Sequence, residues 1–397
     1  ISLAHEIRKL LITKTSTVGG HLGSNLGIVE ATIAMHYIFD SPKDKIVFDV
    51  SHQSYTHKIL TGRKDAYIFP EKYGMINGYT NPEESEHDYF RVGHTATSIS
   101  LACGLAKARN LNGGKENIIA VIGDGSMSGG EAFEGLNFGG SDIDGNLIVI
   151  FNDNQMSIAE NHGGIYKNLA ELRESNGTAP NNLFKAFGYD YKFVKDGNDV
   201  KALIKAFGEV INIKHPIVIH ICTVKGKGFE FSEQHKEAAH YVRPFHLETG
   251  EEKSQFNGER YDLIIRDYLI EKMKKDSKIA TIIAAVPDSL SFKSDKRILA
   301  GKQFIDVGIA EAHAATFAAG LAISGKKPFL SIYSSFLQRA YDQLNHDIAR
   351  MNLAVVVGID RAGLVAGDGE THHGVFDLGI LKPLPNTYIY APSSKKE

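Results

Sequence analysis

Cysteine is nearly absent from this chain, which carries two in 397 residues, Cys103 and Cys222. Both sit in apolar contexts and offer neither a disulfide framework nor a metal-ligating spacing, so free thiols in a reducing cytoplasm are expected. No H-E-x-x-H and no Cys/His spacing of the zinc type occurs. No apolar run approaches the ~20 residues that span a bilayer. The opening residues Ile1-Ser2-Leu3-Ala4-His5 lack both a signal-peptide pattern and an initiator methionine, and an incomplete N-terminus is expected. A long basic run is missing too, and with a net charge of −3 nucleic acid is an unfitting partner. The cations that do cluster, Lys225 and Lys227, stand among glycines and point to a small anion.

What is present is an ordinary globular composition in a chain too long for one core, so two domains of roughly 200 residues are expected. Strand-like apolar runs recur at 45–50, 117–122, 146–151, 216–221, 279–284, 328–332 and 353–359. Helical patterns lie between them, at 27–38, 96–110, 131–138, 199–213, 311–323 and 336–351. Strands apolar on both faces that alternate with helices predict an α/β fold, with two similar parallel-sheet domains carrying helices on both faces. Residues 232–258 are polar and weakly periodic and read as a connection between domains at 1–231 and 259–397. Residues 160–180 are also weakly patterned and read as a loop or a shortened insertion. No internal repeat is evident.

The chemistry concentrates first at Gly123-Asp124-Gly125, which ends an apolar run, and at Asn154, thirty residues on, which follows the next one. That spacing suits the C-terminal ends of two strands joined by one helix. Two hard oxygen ligands there, beside a glycine-rich helix start with Ser126, suit Mg²⁺ held against a diphosphate. A dinucleotide loop needs G-x-G-x-x-G; here the last position is Ser128, and the acid between the glycines would repel a pyrophosphate unless a cation intervened. A strand-to-helix turn with no ligand is the plain alternative. Asp306-Val307-Gly308-Ile309-Ala310-Glu311 opens an Ala-rich helix; its glutamate either favours the positive helix end or serves as an acid–base group. His21, His52, His94 and His372 all lie among glycines or small polar residues, as loops at strand ends do in α/β active sites. Arg339 and Arg361 are either surface cations or a clamp for a substrate phosphate.

Together these residues resemble the 1-deoxy-D-xylulose-5-phosphate synthase family of transketolase-like thiamine diphosphate enzymes. The resemblance runs from Gly19-Gly20-His21 to Ala391-Pro392-Ser393. Its most specific segments are Val50-Ser51-His52-Gln53-Ser54-Tyr55-Thr56-His57-Lys58, Ile332-Tyr333-Ser334-Ser335-Phe336-Leu337-Gln338-Arg339, Asp360-Arg361-Ala362-Gly363 and Asp368-Gly369-Glu370-Thr371-His372. It implies a diphosphate-binding domain at 1–231 and a pyrimidine-binding domain at 259–397, with the cofactor bridging them. It also implies Mg²⁺ on Asp124, Asn154 and the Met156 carbonyl, with Gly123, Gly125, Ser126, His52, His94 and Lys225 on the cofactor side. Glu311 would activate the aminopyrimidine and Phe336 would stack on it. His21, His52, His372 and Asp368 would serve the reaction, and Tyr333, Arg339 and Arg361 would face the phosphate of the aldehyde. The implied activity is decarboxylative condensation of pyruvate with D-glyceraldehyde 3-phosphate, by a cytoplasmic homodimer. Ketol transfer of the transketolase type and a non-catalytic cofactor-binding form are the alternatives; a nicotinamide dehydrogenase fits least. Two departures stand out: the family's third α/β domain is absent here, with an arginine that it uses for substrate phosphate, and 161–183 is shorter than the family's insertion.

Overall fold

The computed structural model describes residues 1–254, 258–365 and 367–397. The chain divides into two compact units, Ile1–Gln255 and Phe256–Glu397. Each is a parallel sheet covered on both faces.

The first unit holds β1 (Lys45–Phe48), β2 (Ile118–Gly123), β3 (Leu147–Asp153), β4 (Asp190–Val194) and β5 (Ile217–Cys222), in the order β1-β2-β3-β5-β4. All four pairings are parallel, and Gly123 registers with Asn152. Its main helices are α1 (Ser2–Val18), α2 (Val29–Ile38), α3 (Ser98–Leu111), α4 (Gly130–Asp142), α5 (Gly164–Glu174) and α6 (Val200–Gly208). Alternate residues of the strands face opposite layers. Ile118, Ala120 and Ile122 pack with α3, α4 and α5, whereas Ile119 and Val121 pack with α2 and α6. This split follows from right-handed crossovers: the steps from β1 to β3 run one way along the sheet, and the step from β4 to β5 runs back. The reversal falls beside β3, the position where open α/β sheets bind ligands. β2 and β3 have almost no exposed residue, and each fully buried Ile, Leu or Val there contributes about 1.5–3 kcal/mol.

The second unit holds β6 (Ile279–Ile283), β7 (Phe304–Asp306), β8 (Lys327–Tyr333) and β9 (Val356–Asp360), in the order β7-β6-β8-β9, again all parallel. The helices α7 (Tyr261–Lys275) and α8 (Ser294–Ala300) cover one face. The other face is covered by α9 (Glu311–Ile323) and the segment 337–349.

Several local expectations change. The edge strands β4 and β7 escape a pattern search because their residues are mostly half-buried and carry no long apolar run. Residues 160–180 contain α5, whose Leu169 and Leu172 reach the core from an otherwise polar sequence. The helix expected over 336–351 is a succession of short turns, including a π-type turn at Leu344–Ala349. Residues 232–254, expected as a connection, pack on the first unit: Val242 bridges Gly20, and Phe245 joins a core with Ile7 and Leu11. Gly19 permits this, because at φ 81° a Cβ would fall 2.7 Å from the Val242 carbonyl. Residues 255–257 of the expected connection lie outside the described residues.

Candidate active site

In both units most candidate groups follow the C-terminal ends of strands, where the backbone is strained, whereas His21 follows α1. Val50 and Ser51 after β1, Gln155 after β3, Ala285 after β6 and Arg361 within the turn after β9 all have positive φ without being glycine. Such residues persist where surrounding contacts over-determine them, and they gather at functional sites.

In the first unit, Asp124 follows β2 and Asp153 ends β3. The Asp124 carboxylate is buried and accepts the Gly125 and Gln155 backbone N–H groups and the Asn161 side-chain amide, the last at 2.8 Å. Burial, and then the Asp153 charge, push its pKa well above the usual carboxylate range, against the pull of Lys225. Asp153 goes the other way. Burial raises it, but His220 Nε2 at 2.9 Å and Arg173 Nη1 at 2.5 Å more than compensate and hold it ionised. Of two neighbouring buried carboxylates, one has its cations and the other lacks enough positive charge. A divalent cation is the group that would supply it.

Asn154 Oδ1 accepts the Met156 N–H at 3.1 Å, which folds the expected ligands into one tight turn. Lys225 is buried, donates to the Ser157 carbonyl at 2.6 Å, and is lowered by burial to about 8. At Gly125 any Cβ would stand 2.9 Å from Ser157 Cα, so the turn must be glycine. The Ser126 hydroxyl bonds Asp49, the buried acid that also accepts the Ala96 and Ser98 N–H groups.

His21 and His52 are brought together, ring centroids 5.1 Å apart. His94 lies half-buried in the turn before α3. Around His21 stand Tyr79 at 5.8 Å, His240 at 5.6 Å and Tyr241 at 5.0 Å, none of which the sequence singled out. His240 Nδ1 is screened from solvent and has no hydrogen-bond partner among the described residues. Burial first, then Lys225, His52 and His21, hold that ring neutral. Its signal was present in Ala238-Ala239-His240-Tyr241, a histidine after small residues like the others, but it fell in a segment read as a connection.

Asp153, His220 and Cys222 also bring ligand atoms within 4.8 Å of one another. The Arg173 guanidinium already occupies Asp153, and the Tyr191 hydroxyl bonds His220 Nδ1 at 2.8 Å, so these groups brace the end of β3 instead of forming an ion site.

In the second unit, Glu311 is the first residue of α9 and is buried, with Arg339 Nη1 3.8 Å from its carboxylate. Burial raises its pKa and the Arg339 charge opposes that rise. Tyr333, at the end of β8, packs on Phe336 with centroids 4.8 Å apart and the rings tilted by 34°, and His372 meets both rings edge-on. The Tyr333 hydroxyl donates to Asp368 at 2.9 Å, and the Arg361 guanidinium lies 5.1 Å over the Tyr333 ring. Tyr333, Phe336, Arg361, Asp368 and His372 therefore form one cluster. Arg339 is set apart from Arg361, beside Glu311, while Arg361 pairs with Asp360 and is 42% exposed.

The residues present fit thiamine diphosphate and a divalent cation. Asp124 is a buried carboxylate that Lys225 does not fully offset, and His240 has a buried ring nitrogen with no hydrogen-bond partner among the described residues.

Residues 1–180 match the profile described as 1-deoxy-D-xylulose-5-phosphate synthase. Residues 96–280 match the thiamine diphosphate binding domain of transketolase, and 260–397 match its pyrimidine binding domain. The 1-deoxy-D-xylulose-5-phosphate synthase 1 of Geobacter sulfurreducens is 43% identical over 433 aligned positions, covering 100% of this chain and 68% of its own. That of Alkaliphilus oremlandii is 45% identical, covering 98% and 68%. Transketolase from Leishmania mexicana superposes with a TM-score of 0.48 at 16% identity, covering 97% of this chain and 72% of its own. The chain thus spans about two thirds of the length of the relatives it matches, and it belongs to the 1-deoxy-D-xylulose-5-phosphate synthase family.

Proposed function

We propose that this chain catalyses the thiamine diphosphate-dependent condensation of pyruvate with D-glyceraldehyde 3-phosphate, releasing CO₂ and forming 1-deoxy-D-xylulose 5-phosphate. The observation that carries the reaction is 43% identity along the whole chain to a synthase of that name. When bound, the cofactor supplies the electron sink that loss of CO₂ from a 2-oxo acid requires.

The remaining work falls to the protein's own groups. Asp124, Asn154 and the Met156 carbonyl would hold Mg²⁺, with Gly123, Gly125 and Lys225 beside the diphosphate. A divalent ion with hard oxygen ligands matches that donor set. Glu311, kept from ionising readily by burial, would exchange a proton with the aminopyrimidine ring, and Phe336 would stack against it. His21, His52 and His372 would move protons at the substrate, with Asp368 orienting Tyr333. His94 would lie on the cofactor side, and Arg339, Arg361 and Tyr333 would bind the aldehyde's phosphate. The first unit would act as the diphosphate domain and the second as the pyrimidine domain, in a cytoplasmic homodimer.

Incubation with pyruvate, D-glyceraldehyde 3-phosphate, thiamine diphosphate and Mg²⁺ tests this reading. One equivalent of CO₂ should appear with a five-carbon ketose phosphate identified by mass. Ketol transfer with no CO₂ from pyruvate would contradict it.

A further inference from the structure

Residues 77–94 of the first unit form neither helix nor strand, yet they deliver Tyr79 to His21 and end at His94. Two carboxylates inside this loop are turned inward. Asp88, whose side chain is fully buried, accepts both Arg63 Nη1 and Nη2, at 2.6 and 2.9 Å, His57 Nε2 at 2.9 Å, and the loop's own Asn81 N–H at 2.9 Å. Glu84 accepts Lys58 Nζ at 2.5 Å and the Asn77 N–H at 2.6 Å. The cationic partners, Lys58 and Arg63, and the His57 ring all come from 57–63, a few residues after His52. A third tie is neutral: Ser51 Oγ accepts the Thr80 N–H at 2.9 Å and donates to the Val92 carbonyl at 3.1 Å. Ser51 neighbours His52 and, with Val50, is strained at positive φ.

Buried ion pairs contribute little net stability over an apolar core of the same shape; what they add is directional. Here the Arg63–Asp88 contact is a two-bond fork, and Arg63, His57, Lys58 and Ser51 each tie the loop to the segment that carries His52. We infer that Asp88, supported by Glu84 and Ser51, is a positioning residue: an ionic clamp that holds the 77–94 loop, with Tyr79 and His94, in place against His21 and His52. This rests on the proposed function for its kinetic consequence but not for its structural one.

The test uses the full chain with Asp88→Asn, and Ser51→Ala as a second variant that breaks a tie without burying an unpaired charge. Amide hydrogen exchange is followed without ligands, and turnover is measured per folded molecule. Both variants should speed exchange at the 77–94 amides at least tenfold while α3 stays protected. Both should lower kcat at least tenfold, with the KM for D-glyceraldehyde 3-phosphate within about threefold. A merely stabilising network would lower the folded fraction and leave kcat per folded molecule unchanged, and that result overturns the inference. Unchanged exchange in the loop overturns it as well. A wild-type chain with no turnover contradicts the proposed function instead, and the exchange result still decides whether the clamp holds the loop.

Discussion

The five-stranded sheet of the first unit and the four-stranded sheet of the second both carry their candidate groups on strand C-terminal ends, but different forces hold them. In the first unit the forces are ionic: Asp153 is locked by His220 and Arg173, Asp88 by Arg63 and His57, and at Asp124 the pull of Lys225 does not offset burial and the Asp153 charge. In the second they are mostly aromatic, with Tyr333, Phe336 and His372 packed ring to ring and one half-exposed arginine over them. The contrast suits two tasks. A cation–diphosphate site needs a deficit of positive charge in a rigid setting. A pyrimidine site needs a flat apolar platform and one carboxyl group that holds its proton.

Four outcomes would sharpen or break that contrast. The largest is expected at Asp124. Asp124→Asn should abolish Mg²⁺-dependent cofactor binding in a calorimetric titration and lower turnover by ~10³-fold or more, and saturable binding in that variant would remove the first unit's claim to the metal. Next, Arg339→Met removes the cation that opposes burial at Glu311. The Glu311 carboxyl should then ionise only at higher pH, moving the acid limb of the kcat/KM profile upward, with a rate loss of ~10-fold or more. An unmoved limb would show that Arg339 does not govern Glu311.

Gly125→Ala forces a Cβ to within 2.9 Å of Ser157 Cα, and such overpacking costs about 1–3 kcal/mol, read as a lower melting temperature and weaker cofactor binding. The smallest effect is in acid. Burial, then His57, His87 and Arg63, lower His36 to about 3, and burial lowers His57 despite Asp88. A folded-state pKa below the unfolded value of about 6.5 means the stabilisation is complete above that pH and is lost as pH falls through the window toward 3. Asp88, held low, loses its contribution below the usual carboxylate range, in the same direction. Denaturant titrations should therefore show stability declining from about pH 6.5 downward, by up to about 1.4 kcal/mol per pH unit per histidine, and the decline should be blunted by His36→Phe.

Much of this was legible in the sequence because strand ends are legible. An apolar run that stops at Gly123 places Asp124, a second run places Asn154, and an Ala-rich helix start places Glu311. What escaped was brought in from far along the chain or hidden by half-burial. His240 reaches His21 through the Gly20–Val242 bridge, a pairing that no local pattern announces. Arg173 and His220 matter only because they meet at Asp153, and α5 shows two buried leucines in a polar stretch. The Ser126 hydroxyl bonds Asp49, just after a different strand, another contact that no local pattern announces.

The most direct measurement compares Glu311→Gln with Asp124→Asn for cofactor affinity and for exchange of the thiazolium C2 proton, followed by NMR after acid quench. If the first unit holds and the second activates, Glu311→Gln should bind thiamine diphosphate and Mg²⁺ within about threefold of wild type while C2 exchange slows by ~10²-fold or more, and Asp124→Asn should fail at binding. Wild-type exchange in Glu311→Gln, or wild-type binding in Asp124→Asn, would contradict that division of labour.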